Sequence, residues 1–153
     1  MSDTLQRLVA EFVRSFGLHD GEKTPCGKPI PVSEAHALAE LSGGEGLSQN
    51  DLARRLQLEK STVSRLVASM ERRGWLERRT DAVDSRVRRL YLSPAGRRAA
   101  SEVESARRDK FRRLAGYLGS DEMQSVEAGL RSLLTALRKE KEEGNDGRNE
   151  EED

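Results

Sequence analysis

The sequence predicts a mainly α protein with a small β-hairpin, and three observations carry that prediction. Apolar residues recur at helical spacing in separate stretches, most clearly Leu5, Leu8, Val9, Phe12, Val13 and Phe16 near the start. Between Trp75 and Leu92 that period gives way to two short runs suited to strands, Trp75–Arg79 and Val87–Leu92, joined by the polar stretch TDAVDSR. Of the 153 residues, 35% are hydrophobic, 35% charged and only 4% aromatic, which disfavours a β-sandwich or an enzyme with a large apolar cleft. No run approaches the apolar length of a membrane span.

In chain order, Thr4 is placed to cap a first helix, and Gly17 to end it. A loop from His19 to Pro31 follows, rich in Gly and Pro and containing Cys26, the single cysteine. Val32 to Ser42 reads as a second helix, capped by Ser33, with Ala35, Leu38, Ala39 and Leu41 inward. After SGGEG, Ser48 caps a short helix with Leu52, Ala53 and Leu56 on its apolar side, and Asp51 complements its positive end. A break near Gln57 to Lys60 leads to a helix with Val63, Leu66, Val67 and Met70 along one side, ended by Gly74. Beyond the hairpin, Ser93 caps and Pro94 opens a long helix to about Tyr117, with Ala99, Val103, Ala106, Phe111, Leu114 and Leu118 inward. Ser120 caps a last helix striped by Met123, Val126, Leu130, Leu133, Leu134 and Leu137.

The side of the Val63 helix opposite its apolar stripe carries the functional signal. Ser61, Thr62, Ser64 and Arg65 crowd its first turns. Short hydroxyls and an Arg there can approach a DNA backbone and reach base edges in the major groove, as the second helix of a helix-turn-helix does. The hairpin then reads as a wing whose tip holds Asp84 and Arg86. An Arg at that tip suits a narrow minor groove, and Asp84 can brace its guanidinium through a charge-assisted hydrogen bond. Each feature also has a plainer reading, a solvated helix face and a surface salt bridge.

KSTVSRLVASMERRGWLERR followed by DSRVRRLYLSPAG resembles the winged helix-turn-helix core of MarR-family transcriptional regulators. The resemblance rests on the hydroxyl-rich recognition helix, the Gly before the hairpin, Asp-x-Arg in the wing and Leu-Ser-Pro-x-Gly opening the next helix. It implies a winged helix-turn-helix with N- and C-terminal dimerisation helices. The expected layout is an N-terminal dimerisation helix and loop at 1–30, the DNA-binding domain at 31–92, C-terminal dimerisation helices at 93–140 and a disordered acidic tail at 141–153. The implied function is that of a homodimeric, sequence-specific regulator, a repressor, acting on a pseudo-palindromic duplex in the cytoplasm. The resemblance also implies a small aromatic or phenolic effector between the dimerisation helices and the winged domain, where Phe12, Phe16 and His36 line the cleft or belong to the core.

Charge agrees with a nucleic-acid partner. The net charge is zero, from 27 basic and 27 acidic residues. From Glu140 onward, however, eight acids face two bases, which leaves 25 bases against 19 acids in the first 139 residues. Arg dominates the basic residues between Arg54 and Arg98, which suits phosphate recognition. Ser61, Thr62, Ser64 and Arg65 are therefore assigned to the major groove and Arg86, with Asp84, to the wing. Arg78, Arg79 and Arg88 are secondary phosphate contacts.

Two alternatives remain open at this level. Cys26, beside Lys28 in a loop, can sense oxidants on the same scaffold, and Cys26, Glu34, His36 and His19 form a conceivable metal set whose spacing fits no zinc pattern. The chain can also be a winged-helix protein-interaction module. One Cys permits no internal disulfide, in keeping with a reducing compartment, and MSDTLQRLVAEF does not read as a secretory signal. No Ser/His/Asp set, phosphate loop, metal motif or cofactor fingerprint points to an enzyme.

Overall fold

The computed structural model describes residues 2–149, with side chains from 3 to 143. The elements run α1 (Ser2–Phe16), α2 (Val32–Leu41), β1 (Leu47–Ser48), α3 (Gln49–Leu56), α4 (Lys60–Arg72), β2 (Leu76–Thr80), β3 (Arg88–Leu92), α5 (Pro94–Ala115) and α6 (Ser120–Asn149). They form two compact units, Met1–Lys110 and Phe111–Asp153, with α5 running through the boundary. No described helix is long and apolar enough to cross a membrane.

In the first unit, α2, α3 and α4 enclose the core with a three-stranded antiparallel sheet of order β1-β3-β2. Leu38, Leu52, Val63, Val67, Met70 and Leu90 are fully buried there, joined by Leu92, Ala100 and Val103. The expected inward faces of α3 and α4 are thus the buried ones. Ser48 caps α3 as its position predicts: its Oγ accepts the Asp51 N–H at 3.0 Å and donates to Asp51 Oδ2 at 2.7 Å. Gln57 closes α3 in the left-handed region (φ +54), which makes the sharp turn into α4.

Gly74 ends α4 with φ +71, and its N–H and that of Trp75 donate back to Glu71 and Met70 carbonyls at 2.9 and 3.0 Å. The hairpin follows at once. Its strands begin one residue later than predicted, at Leu76 and Arg88, with Leu76 opposite Leu92 and Thr80 opposite Arg88. Ser93 locks the hairpin to the start of α5, since its N–H donates to Trp75 O at 2.9 Å, its hydroxyl to Gly74 O at 2.6 Å, and its Oγ accepts the Gly96 N–H at 3.0 Å. Gly96 is needed because a Cβ there would stand 2.1 Å from the Trp75 carbonyl oxygen. The Leu-Ser-Pro-x-Gly run is therefore a junction between hairpin and helix.

Several expectations are corrected. Thr4 is no cap, because α1 already begins at Ser2. Pro31, not Ser33, precedes α2 and makes no side-chain cap bond; its extended backbone alone starts the helix. Gly119 rather than Ser120 precedes α6, donating its N–H to Glu122 Oε2 at 2.8 Å. The strand β1 was not foreseen, since two residues carry no period to read. Helix α5 ends at Ala115, and α6 continues through Asn149 into the stretch expected to be disordered. Lys139 to Glu143 are good helix formers, and Gly144 and Gly147 each cost a helix only about 1 kcal/mol. Residues 150–153 of that tail lie outside the described residues.

Within the first unit, α1 leaves Leu5, Leu8, Val9 and Phe12 about half exposed. In the second unit, Val126, Leu130, Leu134 and Leu137 of α6 are likewise exposed, as are Phe111, Leu114 and Leu118, which were expected inward. Apolar stripes of this kind stay wet in a lone chain.

Gly96→Ala should destabilise the protein by about 1–3 kcal/mol, because the new methyl cannot avoid backbone. Denaturant unfolding at unchanged m-value is the measurement.

Candidate nucleic-acid interface

Helix α4 presents its two sides to different surroundings. Val63, Leu66, Val67 and Met70 are buried, which turns Ser61, Ser64 and Arg65 outward to solvent; Thr62 is half-buried. The Arg65 guanidinium lies 3.4 Å from the Thr62 hydroxyl, so it rests along the helix surface. Four residues with donors, three of them short hydroxyls, thus share the first turns of α4 on the side away from the core.

The wing is built on Asp81, which the sequence reading did not single out. Asp81 Oδ1 accepts the backbone N–H groups of Val83 and Asp84 at 2.8 and 2.9 Å, while Oδ2 pairs with the Arg89 guanidinium across the hairpin. Arg89 hydrogen-bonding, with help from the two backbone donors, holds the Asp81 carboxyl down at about 2. Arg89 also donates to Gly46 O at 3.2 Å, tying the wing's base to the loop before β1. Asp at the start of a turn was a legible signal, but its partner lay eight residues away across a hairpin of unknown register.

Asp84 does not brace the Arg86 guanidinium. Its Oδ1 accepts the Arg86 backbone N–H at 3.0 Å, so it shapes the turn that presents Arg86 instead. Arg86 is exposed and lines a cleft with Ser48, Gln49, Asn50, Arg78 and Arg88, between the wing and the start of α3. The secondary arginines are already engaged. Arg78 forms a two-point ion pair with Glu71 of α4 (Nη2–Oε2 3.1 Å), which lowers the Glu71 pKa and raises that of Arg78. Arg79 pairs with Glu77 at 3.0 Å and lies 4.6 Å over the Tyr91 ring. Arg88 donates to Thr80 Oγ1 at 3.0 Å. These contacts hold the hairpin and its arginines in fixed positions beside α4.

The sensor candidates separate. Phe12 and Phe16 stack with ring centroids 5.1 Å apart, and the Lys110 ammonium sits 4.7 Å over Phe16 while donating to Pro25 O at 2.8 Å. Cys26, next in the loop, is half-buried, with its Sγ 3.0 Å from Thr24 Oγ1. His36 is exposed rather than lining an interior, and Phe12 is half exposed rather than core. The turn of α2 that buries Ala37 and Leu38 necessarily points its neighbour His36 outward. Glu34 faces α4, and among the described residues no group of three or more His, Cys, Asp or Glu is placed to hold a metal.

Comparison with known proteins agrees with this geometry. The family model described as MarR family matches residues 28–87, from the loop before α2 through the wing. The HTH-type transcriptional regulator PrsX of Escherichia coli is 24% identical over 133 residues, covering 87% of this chain and 74% of its own length. The solved complex of Staphylococcus aureus MepR with DNA is 25% identical, spans 90% of this chain and 98% of its own, and superposes with a TM-score of 0.66. Over residues 28–87 the chain matches the MarR family. The relatives that it matches are DNA-binding transcription regulators, not enzymes. They include the transcriptional repressor MprA of E. coli, 26% identical over 105 residues, 69% of this chain and 60% of that protein. MepR has also been solved bound to ethidium bromide (25% identity, TM-score 0.53, 90% and 96% coverage).

The depressed Asp81 pKa gives the wing a pH dependence of definite sign. A folded carboxyl at about 2, below its ordinary 3.8, adds stability that is complete above the unfolded value and lost as pH falls through the interval between them. The difference in melting temperature between the wild type and Asp81→Asn should be constant above about pH 5 and vanish toward pH 2. Thermal melts across that range are the check.

Proposed function

We propose that this MarR-family chain is a homodimeric, cytoplasmic repressor that reads a pseudo-palindromic duplex and is released by a small aromatic ligand. The observation that carries the reading is the exposed hydroxyl-and-Arg face of α4 standing beside an arginine-rich wing of fixed shape. In it, Ser61, Thr62, Ser64 and Arg65 enter the major groove, Arg86 reaches the minor groove or backbone, and Asp84 shapes the turn that carries it. Arg78, Arg79 and Arg88 add field and phosphate contacts from the hairpin. The exposed apolar faces of α1 and α6 support a dimer formed by segments 1–30 and 93–140, with 31–92 as the DNA-binding domain. Two-fold symmetry then sets the half-sites about one helical turn, ~10 bp, apart.

Selection from a random duplex pool tests this directly. Enrichment of an inverted repeat with that spacing supports the dimeric reader, and binding without enrichment or no binding at low salt rejects it. On the selected duplex, Arg86→Ala should cost about 1–3 kcal/mol with the fold intact. An unchanged affinity would remove the wing from the reading.

The stacked Phe12–Phe16 pair under Lys110 supports the effector proposal. An exposed ring is a platform for a flat aromatic ligand, and a nearby ammonium suits a phenolate. The ethidium-bound MepR structure shows an aromatic ligand on a relative. A panel of phenols should raise the melting temperature of the wild type and leave that of Phe12→Ala unmoved. No shift from any of them would count against this route.

A further inference from the structure

We infer that Glu34 is a positioning residue for DNA reading, one that sets the rotation of α4 against α2; this rests on the proposed function. Its carboxylate is 3% exposed, in the first turn of α2. It meets the C-terminal end of α4 at two positions one turn apart, Ser69 and the capping residue Arg73. The Ser69 hydroxyl donates to Oε1 at 2.7 Å, and Arg73 Nε stands 3.0 Å from Oε2. The second contact is an ion pair whose N–H is not aimed at the oxygen, so Oε2 is held by charge rather than by a directed bond. Arg73 in turn lies 4.9 Å over the ring of Trp75, where the hairpin begins. One buried carboxylate therefore touches α4 directly and reaches the root of the wing through a single side chain.

Stability alone does not call for a carboxylate here. Taking such a group out of water is costly even when it is paired, and an apolar side chain of similar size often holds a protein together as well or better. The neighbours are apolar and tightly packed: Ala37, Leu38 and Met70 have no exposure at all. What a carboxylate adds is direction. Apolar packing resists separation of two helices more than it resists small rotations, whereas a hydrogen bond weakens steeply when its angle or length changes. Ser69 is near the far end of α4 and Arg73 caps that end, whereas Ser61, Ser64 and Arg65 are at its start. A roll of the helix allowed at one end would carry the reading residues off their base edges at the other. Contacts to phosphates, which supply affinity without sequence information, are far less sensitive to such a roll.

The test uses the full chain as wild type, Glu34→Leu and Glu34→Gln, titrated with the selected duplex and with a scrambled duplex of equal composition, and melted in parallel. Glu34→Leu should lose about tenfold or more in affinity for the selected duplex while its affinity for the scrambled one is unchanged. Glu34→Gln, which keeps an acceptor for Ser69 but not the charge facing Arg73, should fall between that variant and wild type. An unchanged ratio of the two affinities in folded Glu34→Leu overturns the inference, whatever happens to the melting temperature, because a residue of structural value alone moves only the latter. If Glu34→Leu does not fold, Glu34→Gln decides: a ratio equal to that of wild type overturns the inference. A wild type that does not distinguish the two duplexes would instead defeat the DNA-reading function, and the inference would fall with it.

Discussion

Burial of one side of α4 is the constraint on which the rest of the molecule depends. Val63, Val67 and Met70 have no solvent exposure, and they contact a core contributed by α2, α3 and the sheet. A helix has no freedom to bury one stripe without presenting the opposite one, because side chains three and four apart share a face. Once the apolar stripe is seated, Ser61, Ser64 and Arg65 must point to solvent together. The function proposed for the chain thus follows from hydrophobic packing first and from polar chemistry second.

The hairpin is held by different physics. Its strands are short, and an isolated hairpin of this length is marginal in water. Here β3 is central, paired on both sides by β1 and β2, and Leu90 and Leu92 anchor it in the core. Beyond that anchor the wing depends on charge: Asp81 gathers two backbone donors and Arg89, and Arg89 reaches Gly46. The Asp81–Arg89 pair is half-buried, with the Asp81 side chain only 10% exposed, and it fixes the shape of the loop that carries Arg86.

The junction between wing and α5 shows how a short motif encodes geometry. Ser93 caps the helix and at the same time binds two hairpin carbonyls, and Gly96 leaves room for Trp75 O. Read as sequence, the motif signals only the start of a helix. In three dimensions it also fixes the direction in which that helix leaves the sheet.

What the sequence determined by itself was whatever depends on neighbours along the chain. The apolar stripes of α3 and α4 were legible because helical period is local. The caps at Ser48, Gly74 and Ser93 were legible because a cap acts within four residues of itself. Thr4, Ser33 and Ser120 misled because a hydroxyl near a helix start is a frequent signal that backbone geometry at Ser2, Pro31 or Gly119 can pre-empt. Tertiary structure alone decided pairings between distant segments: Leu47 with Leu90, Asp81 with Arg89, Arg78 with Glu71, and Glu34 with Ser69 and Arg73. A charged residue in sequence has many possible partners, and only the fold brings one of them within reach. For that reason the face proposed to meet DNA could be read from the chain, while the contacts that hold it in place could not.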